Sequence, residues 1–98
     1  MKQDKIEITE AKLKNILGGD WGEFRERIFN SVYCSNCDSN YDSTIINYRI
    51  FLNDLNDIIL EGFCKKCMHR VARYCETGEV PGYMERITEL KKALSSIN

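Results

Sequence analysis

The sequence predicts an α+β fold: two short N-terminal helices, a three-stranded antiparallel sheet, and one C-terminal amphipathic helix. Three observations carry this reading. Apolar residues recur at three- and four-residue steps over the first thirty or so positions and again over the last fifteen or so, the period of a helix with one buried face. Between them lies a stretch rich in β-branched and aromatic residues, broken by Asn and Asp. Two Cys-x-x-Cys pairs, Cys34-Ser35-Asn36-Cys37 and Cys64-Lys65-Lys66-Cys67, bracket the first part of that stretch.

Each element has its own signal. Thr9 reads as a helix N-cap, with Ile8 before it and Leu13 after it placed as a hydrophobic staple. Leu13, Ile16 and Leu17 share one face, and Gly18-Gly19 ends the helix. Asp20-Trp21-Gly22-Glu23 has the form of a capping box, opening a second helix over about 21–31 that is expected to bury Trp21, Phe24 and Ile28. Asp38 to Ser43 is polar and reads as a loop. Thr44–Leu52 is the first strand, with Ile46, Tyr48 and Ile50 on one face and Ile45, Asn47 and Arg49 on the other. Asn53-Asp54-Leu55-Asn56-Asp57 supplies the turn, because Asn and Asp tolerate left-handed backbone angles. Ile58–Phe63 returns as a second strand straight into Cys64, and Val71–Glu76 is a third, stopped by Thr77-Gly78. Pro81 stands where a helix start tolerates it. Tyr83, Ile87, Leu90, Leu94 and Ile97 then form an apolar stripe at helical spacing.

The chain of 98 residues is the length of one domain, divided into a helical segment 1–31, a cysteine-bearing sheet 32–76 and a terminal helix 82–97. Its apolar share of 43% is ordinary for a globular protein, and 30% charged residues favour solubility. The apolar runs are far too short to span a bilayer, and the N-terminus lacks the apolar stretch of a signal peptide. A cytoplasmic location is the expectation that follows. In a reducing compartment thiols stay free, so paired Cys-x-x-Cys points to metal rather than to disulfides.

Four thiolates in two short loops satisfy the tetrahedral preference of Zn²⁺ without any further ligand. The expected ligands are therefore Cys34, Cys37, Cys64 and Cys67, holding one structural zinc. A Cys-x-x-Cys pair at a strand end can fold into a knuckle, a tight turn whose backbone N–H groups point at the sulfurs and disperse their charge. At this point residues 32–76 resemble the zinc ribbon family, and the chain is also similar to small bacterial zinc-ribbon proteins of uncharacterised function. The resemblance implies two knuckles capping a three-stranded antiparallel sheet. Asp38 and Met68 stand where ribbon knuckles often carry glycine. His69, the sole histidine, and Cys75, the fifth cysteine, read as an exposed knuckle residue and a small apolar filler. A closed four-cysteine site leaves no position for a reacting water, and no other spacing in the chain suggests a second chemistry, so no enzymatic activity or small-molecule substrate is expected.

The expected function is therefore a zinc-stabilised module for protein interaction or assembly, with an unidentified protein or a second copy as partner. The alternative is nucleic acid. Net charge is −1, but positions 64–75 carry Lys65, Lys66, Arg70 and Arg73 and no acid, with Tyr48, Phe63 and Tyr74 expected nearby in the sheet. Cations of this kind can contact phosphates, and exposed rings can stack on bases. They can equally offset the negative charge of a zinc–thiolate centre. The N-terminal helix–Gly-Gly–helix has the outline of a helix-turn-helix, but Glu23, Arg25, Glu26 and Arg27 give its second helix mixed charge, poor for reading DNA.

Overall fold

A computed structural model describes residues 5–37, 43–77, 80 and 82–96. The chain opens with strand β1 (Ile6–Ile8) and enters a helical run of 20 residues. Within that run α1 (Glu10–Leu17) passes through a 3₁₀ turn (Gly18–Asp20) into α2 (Trp21–Phe29). Strands β2 (Ile45–Leu52), β3 (Ile58–Cys64) and β4 (Arg70–Cys75) follow, and α3 (Tyr83–Ser96) closes the described chain. The sheet is antiparallel throughout, in the order β1-β2-β3-β4. Of the loop expected over 38–43, residues 38–42 lie outside the described residues, as do the stop at Gly78, Pro81 and Ile97, while Ser43 is buried and pairs with Val32 rather than standing in a loop.

The expected three-stranded sheet has a fourth strand. Ile6, Glu7 and Ile8 pair with Leu52, Phe51 and Ile50 on the outer edge of β2. Three residues are too few to show a period, and their pairing is fixed by long-range contacts: Arg49 grips both carboxylate oxygens of Glu7, at 2.7 and 3.1 Å, and Lys5 reaches Glu61 at 2.7 Å.

Thr9 caps α1 as its sequence position implies, its hydroxyl accepting the Lys12 N–H at 3.2 Å, and Ile8 and Leu13 are both buried. Gly18 takes φ +58°, a left-handed angle that costs glycine little, and its N–H returns to the Lys14 carbonyl. Arg86 of α3 donates to the Ile16 carbonyl at 2.6 Å, satisfying another acceptor at this helix end. The capping box expected at Asp20 does not form. The chain is already helical there (φ −84°, ψ −1°), so there is no fresh N-terminus to cap. Asp20 instead accepts the Tyr83 hydroxyl at 2.8 Å, and Glu23 pairs with Arg27. In α2 the fully buried residue is Phe29, while Trp21, Phe24 and Ile28 are only partly buried against the core.

A β-bulge corrects the expected faces of β2. Ile46 opposes Phe63 and Arg49 opposes Glu61, so β2 spends one more residue than β3 over this interval. Asn47 sits in the bulge at φ +50°. Ile45 thereby joins Ile50 and Leu52 in the core, and Tyr48 packs edge-on against Phe29 at 4.7 Å between centroids. Gly62 makes the bulge possible. A Cβ there would lie 2.7 Å from the Ile46 carbonyl oxygen, 2.9 Å from Ile45 Cγ1 and 3.0 Å from Tyr48 Cα.

The core lies between the helices and one face of the sheet, with Leu13, Ile16, Leu17, Leu52, Ile58, Leu60 and Ile87 almost fully enclosed. The apolar stripe of α3 turns into this core: Tyr83 and Ile87 are buried, and Leu90 and Leu94 pack against it. At the far end of the β2–β3 turn, Asn56 takes φ +66° and the Asn53 side chain accepts the N–H groups of Leu55 and Asp57. Lys91 of α3 holds the Asn53 carbonyl at 2.7 Å. Among the described residues no helix is long and apolar enough to cross a membrane.

Candidate metal centre

The two Cys-x-x-Cys turns meet at the end of the sheet opposite that turn. Cys34 follows a two-hydrogen-bond bridge between Val32 and Ser43 (2.9 and 3.0 Å), which brings the chain after α2 alongside the start of β2. Cys64 is the last residue of β3, and the turn over Lys65–Cys67 leads back into β4. A hydrogen bond from the Lys65 N–H to the Thr44 carbonyl, 2.8 Å, ties the second turn to the first segment.

The second turn is built as a knuckle. The Cys64 N–H donates to the His69 carbonyl at 2.8 Å, the Met68 N–H donates to the Cys64 carbonyl at 2.7 Å, and the Lys66 N–H points at Cys64 Sγ from 3.3 Å. Met68 takes φ +65°, so a methionine occupies the left-handed position that glycine fills most cheaply. Asp38, the equivalent residue of the first turn, lies outside the described residues.

All four sulfurs lie within 4.8 Å of one another. Cys34 Sγ is 3.6 Å from Cys67 Sγ, and Cys37 Sγ is 3.7 Å from Cys64 Sγ. Four sulfurs at about 2.3 Å from a central ion and at tetrahedral angles would be about 3.8 Å apart. The residues therefore fit a single four-coordinate metal ion such as zinc. The free thiols are well beyond bonding distance, so this is no pair of disulfides. Cys34 and Cys64 are wholly buried, and Cys37 and Cys67 are half-buried.

The charges support the same view. The Ser43 hydroxyl lies 3.4 Å from Cys64 Sγ, and this contact, with the N–H groups of Cys67 and Lys66, holds the Cys64 thiol down to about 6. Cys67 is also lowered, first by the Asn36 side chain and then by the His69 backbone. Cys37 goes the other way, pushed up to about 12 chiefly by the Cys67 sulfur. Sulfurs this crowded cannot all ionise against one another, and a divalent cation at their centre removes the conflict.

His69 is exposed and outside the sulfur cluster. Cys75 is half-buried on β4, also outside the cluster, and burial pushes its thiol up. The four cations singled out from the sequence do not form one surface. Lys65 and Lys66 are exposed in the second turn and Arg70 is exposed at the start of β4. Arg73, three residues along the strand, points to the helix side and donates to the Ser31 carbonyl at 2.6 Å. The three aromatic residues divide likewise. Phe63 and Tyr74 stay on the face turned away from the helices, with the buried Phe51 and Ile59, whereas the bulge sends Tyr48 to the helices, where its hydroxyl meets Glu10.

Sequence reasoning missed Ser43 and the Val32–Ser43 bridge, for which two isolated residues offer no periodic signal. No family model matches the chain, and neither the curated proteins nor the solved structures give a significant match.

Proposed function

We propose that the chain is a zinc-binding module of the zinc ribbon kind, whose metal is structural and whose task is binding a partner rather than catalysis. The observation that carries this is the set of sulfur separations, 3.6 and 3.7 Å against the roughly 3.8 Å of a tetrahedral zinc–thiolate centre. A four-cysteine centre is coordinatively closed. It offers no site for an activated water, so its contribution is to folding.

That contribution is large. Zinc held by such a centre is worth about 10–16 kcal/mol in apparent terms, comparable to the whole stability of a small domain. The surfaces around the centre support an interaction role. Tyr33 and Met68, immediately before and after the two cysteine pairs, are 43% and 52% exposed. Exposed large apolar groups beside a rigid centre are typical of recognition surfaces.

The test is elemental analysis of purified, reduced protein, followed by chelation. We expect one zinc per chain, and unfolding of at least residues 34–76 once the metal is removed, read as a loss of strand signal in far-UV circular dichroism and of dispersion in the proton NMR spectrum. Absence of stoichiometric metal, or an unchanged spectrum after verified removal, would overturn the proposal.

A further inference from the structure

The outer edge of β2 is paired at both ends and open in the middle. Ser43, just before the strand, exchanges two hydrogen bonds with Val32, and from Ile50 onward β1 covers the edge. Between these points Ile45 is turned outward. The Lys65 N–H bonds the Thr44 carbonyl and the Cys64 N–H bonds the His69 carbonyl, so Ile45, across from Cys64, directs its own N–H and C=O away from β3. Neither group finds a hydrogen-bond partner among the described residues. Ile45 is only 2% exposed, and backbone groups so enclosed call for a partner.

Helix α2 stands over this gap and makes it a cleft of about 590 Å³, within the size range of small-molecule sites. Gly22, Arg25 and Glu26 line it from the helix, and Lys65 lines it beside β2. Asn30 ties helix to strand, donating to the Glu26 carbonyl at 2.9 Å and accepting the Thr44 hydroxyl at 3.0 Å. Arg25 is held in place without being neutralised. Its guanidinium lies 5.5 Å from the centre of the Phe29 ring and beside the Tyr48 hydroxyl. Arg27 and Arg49 are in ion pairs and Arg73 and Arg86 bond carbonyl groups, whereas neither Arg25 nor Lys65 is in an ion pair among the described residues. Glu26 is the sole acid among the described residues of the lining, so two cations face one carboxylate and leave a surplus of one positive charge.

Three features of this cleft select its occupant. A passing peptide strand is excluded, because Val32 and the end of β1 leave only the length of Ile45–Arg49, roughly 16 Å of strand. The charge surplus matches one carboxylate, whereas a phosphate ester carries about −1.5 to −2. The donor and acceptor of Ile45 match an amide.

We propose that the cleft between α2 and the open middle of β2 binds a small carboxylate that also carries an amide, a molecule the size of an N-acylated amino acid. Its amide N–H donates to the Ile45 carbonyl and its amide oxygen accepts the Ile45 N–H, repeating the two-bond bridge between Val32 and Ser43. Its carboxylate meets the planar fork of Arg25, with Lys65 adding charge. This extends the binding role to a second kind of ligand and does not rest on the metal reading.

The test uses zinc-loaded, isotope-labelled full chain, with metal content confirmed beforehand. The probe is N-acetyl-leucine. Its controls are N-acetyl-leucinamide, which lacks the charge, 4-methylpentanoate, which lacks the amide, and inorganic phosphate. The probe should shift the amide signals of residues 45–48 saturably at millimolar concentration and slow hydrogen exchange of the Ile45 N–H. Each control should bind at least about tenfold more weakly, and Arg25→Gln should weaken the probe by about the same factor. Gly22→Leu should block the cleft and leave the rest of the spectrum in place, since a Cβ at Gly22 meets nothing within 4 Å. No saturable shift, equal binding of the neutral amide, tighter binding of phosphate, or undiminished binding by a folded Arg25→Gln or Gly22→Leu variant would each overturn the inference. Each of these results on zinc-loaded protein leaves the metal proposal standing.

Discussion

Replacing Gly62 by alanine tests whether the bulge in β2 organises the metal end of the sheet. The added methyl would sit 2.7 Å from the Ile46 carbonyl oxygen and 3.0 Å from Tyr48 Cα, both backbone atoms that cannot rotate away, and 2.9 Å from Ile45 Cγ1. Overpacking of this kind costs about 1–3 kcal/mol. Alanine also restricts the unfolded chain, which returns about 0.4–1 kcal/mol because Gly62 has no need of a left-handed angle. The difference spans about 0–2.6 kcal/mol, and two close approaches to backbone place it in the upper half: a loss of about 1–2.5 kcal/mol, or roughly 4–20 °C in melting temperature for a chain of this size. Because β2 must move away from β3 where Ile45 opposes Cys64, zinc affinity should fall in the same variant. Thermal unfolding in a zinc buffer of fixed free-metal concentration gives the first quantity, and competition with a chromophoric chelator gives the second. A Gly62→Ala protein as stable as the parent, with the same zinc affinity, would refute the packing argument.

Two further outcomes follow from titratable groups. Zinc binding requires thiolates, so protonation competes with the metal, and zinc affinity should fall steeply as pH is lowered from about 7 to about 5. A chelator competition series that is flat over this range would exclude thiolate ligation. Tyr83 donates to Asp20 at 2.8 Å, and burial, followed by that carboxylate, pushes its pKa from the ordinary 10.0 to about 12. The unfolded chain ionises first, so this stabilisation is complete below about pH 10 and is lost as pH rises toward about 12. Urea unfolding across the alkaline range should show a shallower decline for Tyr83→Phe, and identical slopes for the two proteins would remove Tyr83 as the cause.

The parts legible in the sequence are those whose signal is local. Thr9 caps α1, and Asn56 and Gly18 take positive φ angles that asparagine tolerates and glycine, lacking a Cβ, adopts freely. The strands at 45–52, 58–64 and 70–75 and the helix from Tyr83 fall within two residues of their expected starts. The clustering of the four cysteines was legible because a four-thiol site calls for short, paired spacing, and the sheet brings the pairs together. The rest depends on partners far along the chain. Asp20 has the composition of a helix cap, yet Tyr83 claims it. Arg73 looks like one more surface cation, yet the Ser31 carbonyl lies within its reach. Neither competition is visible until the chain has folded.

The bulge shows why such competitions matter for the site. Strict alternation along β2 would place Ile45 on the face opposite Ile50, and the core would lose a residue 2% exposed that lies directly across from Cys64. One extra residue at Ile46–Asn47 reverses this, and two local permissions make the reversal cheap: Asn47 accepts φ +50°, and Gly62 leaves room for the displaced backbone. The cost of the bulge is thus met beside the metal end of the sheet. The gain is an apolar floor beneath Cys64, with the Ser43 hydroxyl and the N–H groups of Lys66 and Cys67 facing its sulfur. A thiolate surrounded in this way is desolvated on one side and hydrogen-bonded on the other, which favours its pairing with a metal cation over free exposure to water. Packing at Ile45 and the placing of the Cys64 sulfur among the other three are therefore one structural problem, solved by the same bulge.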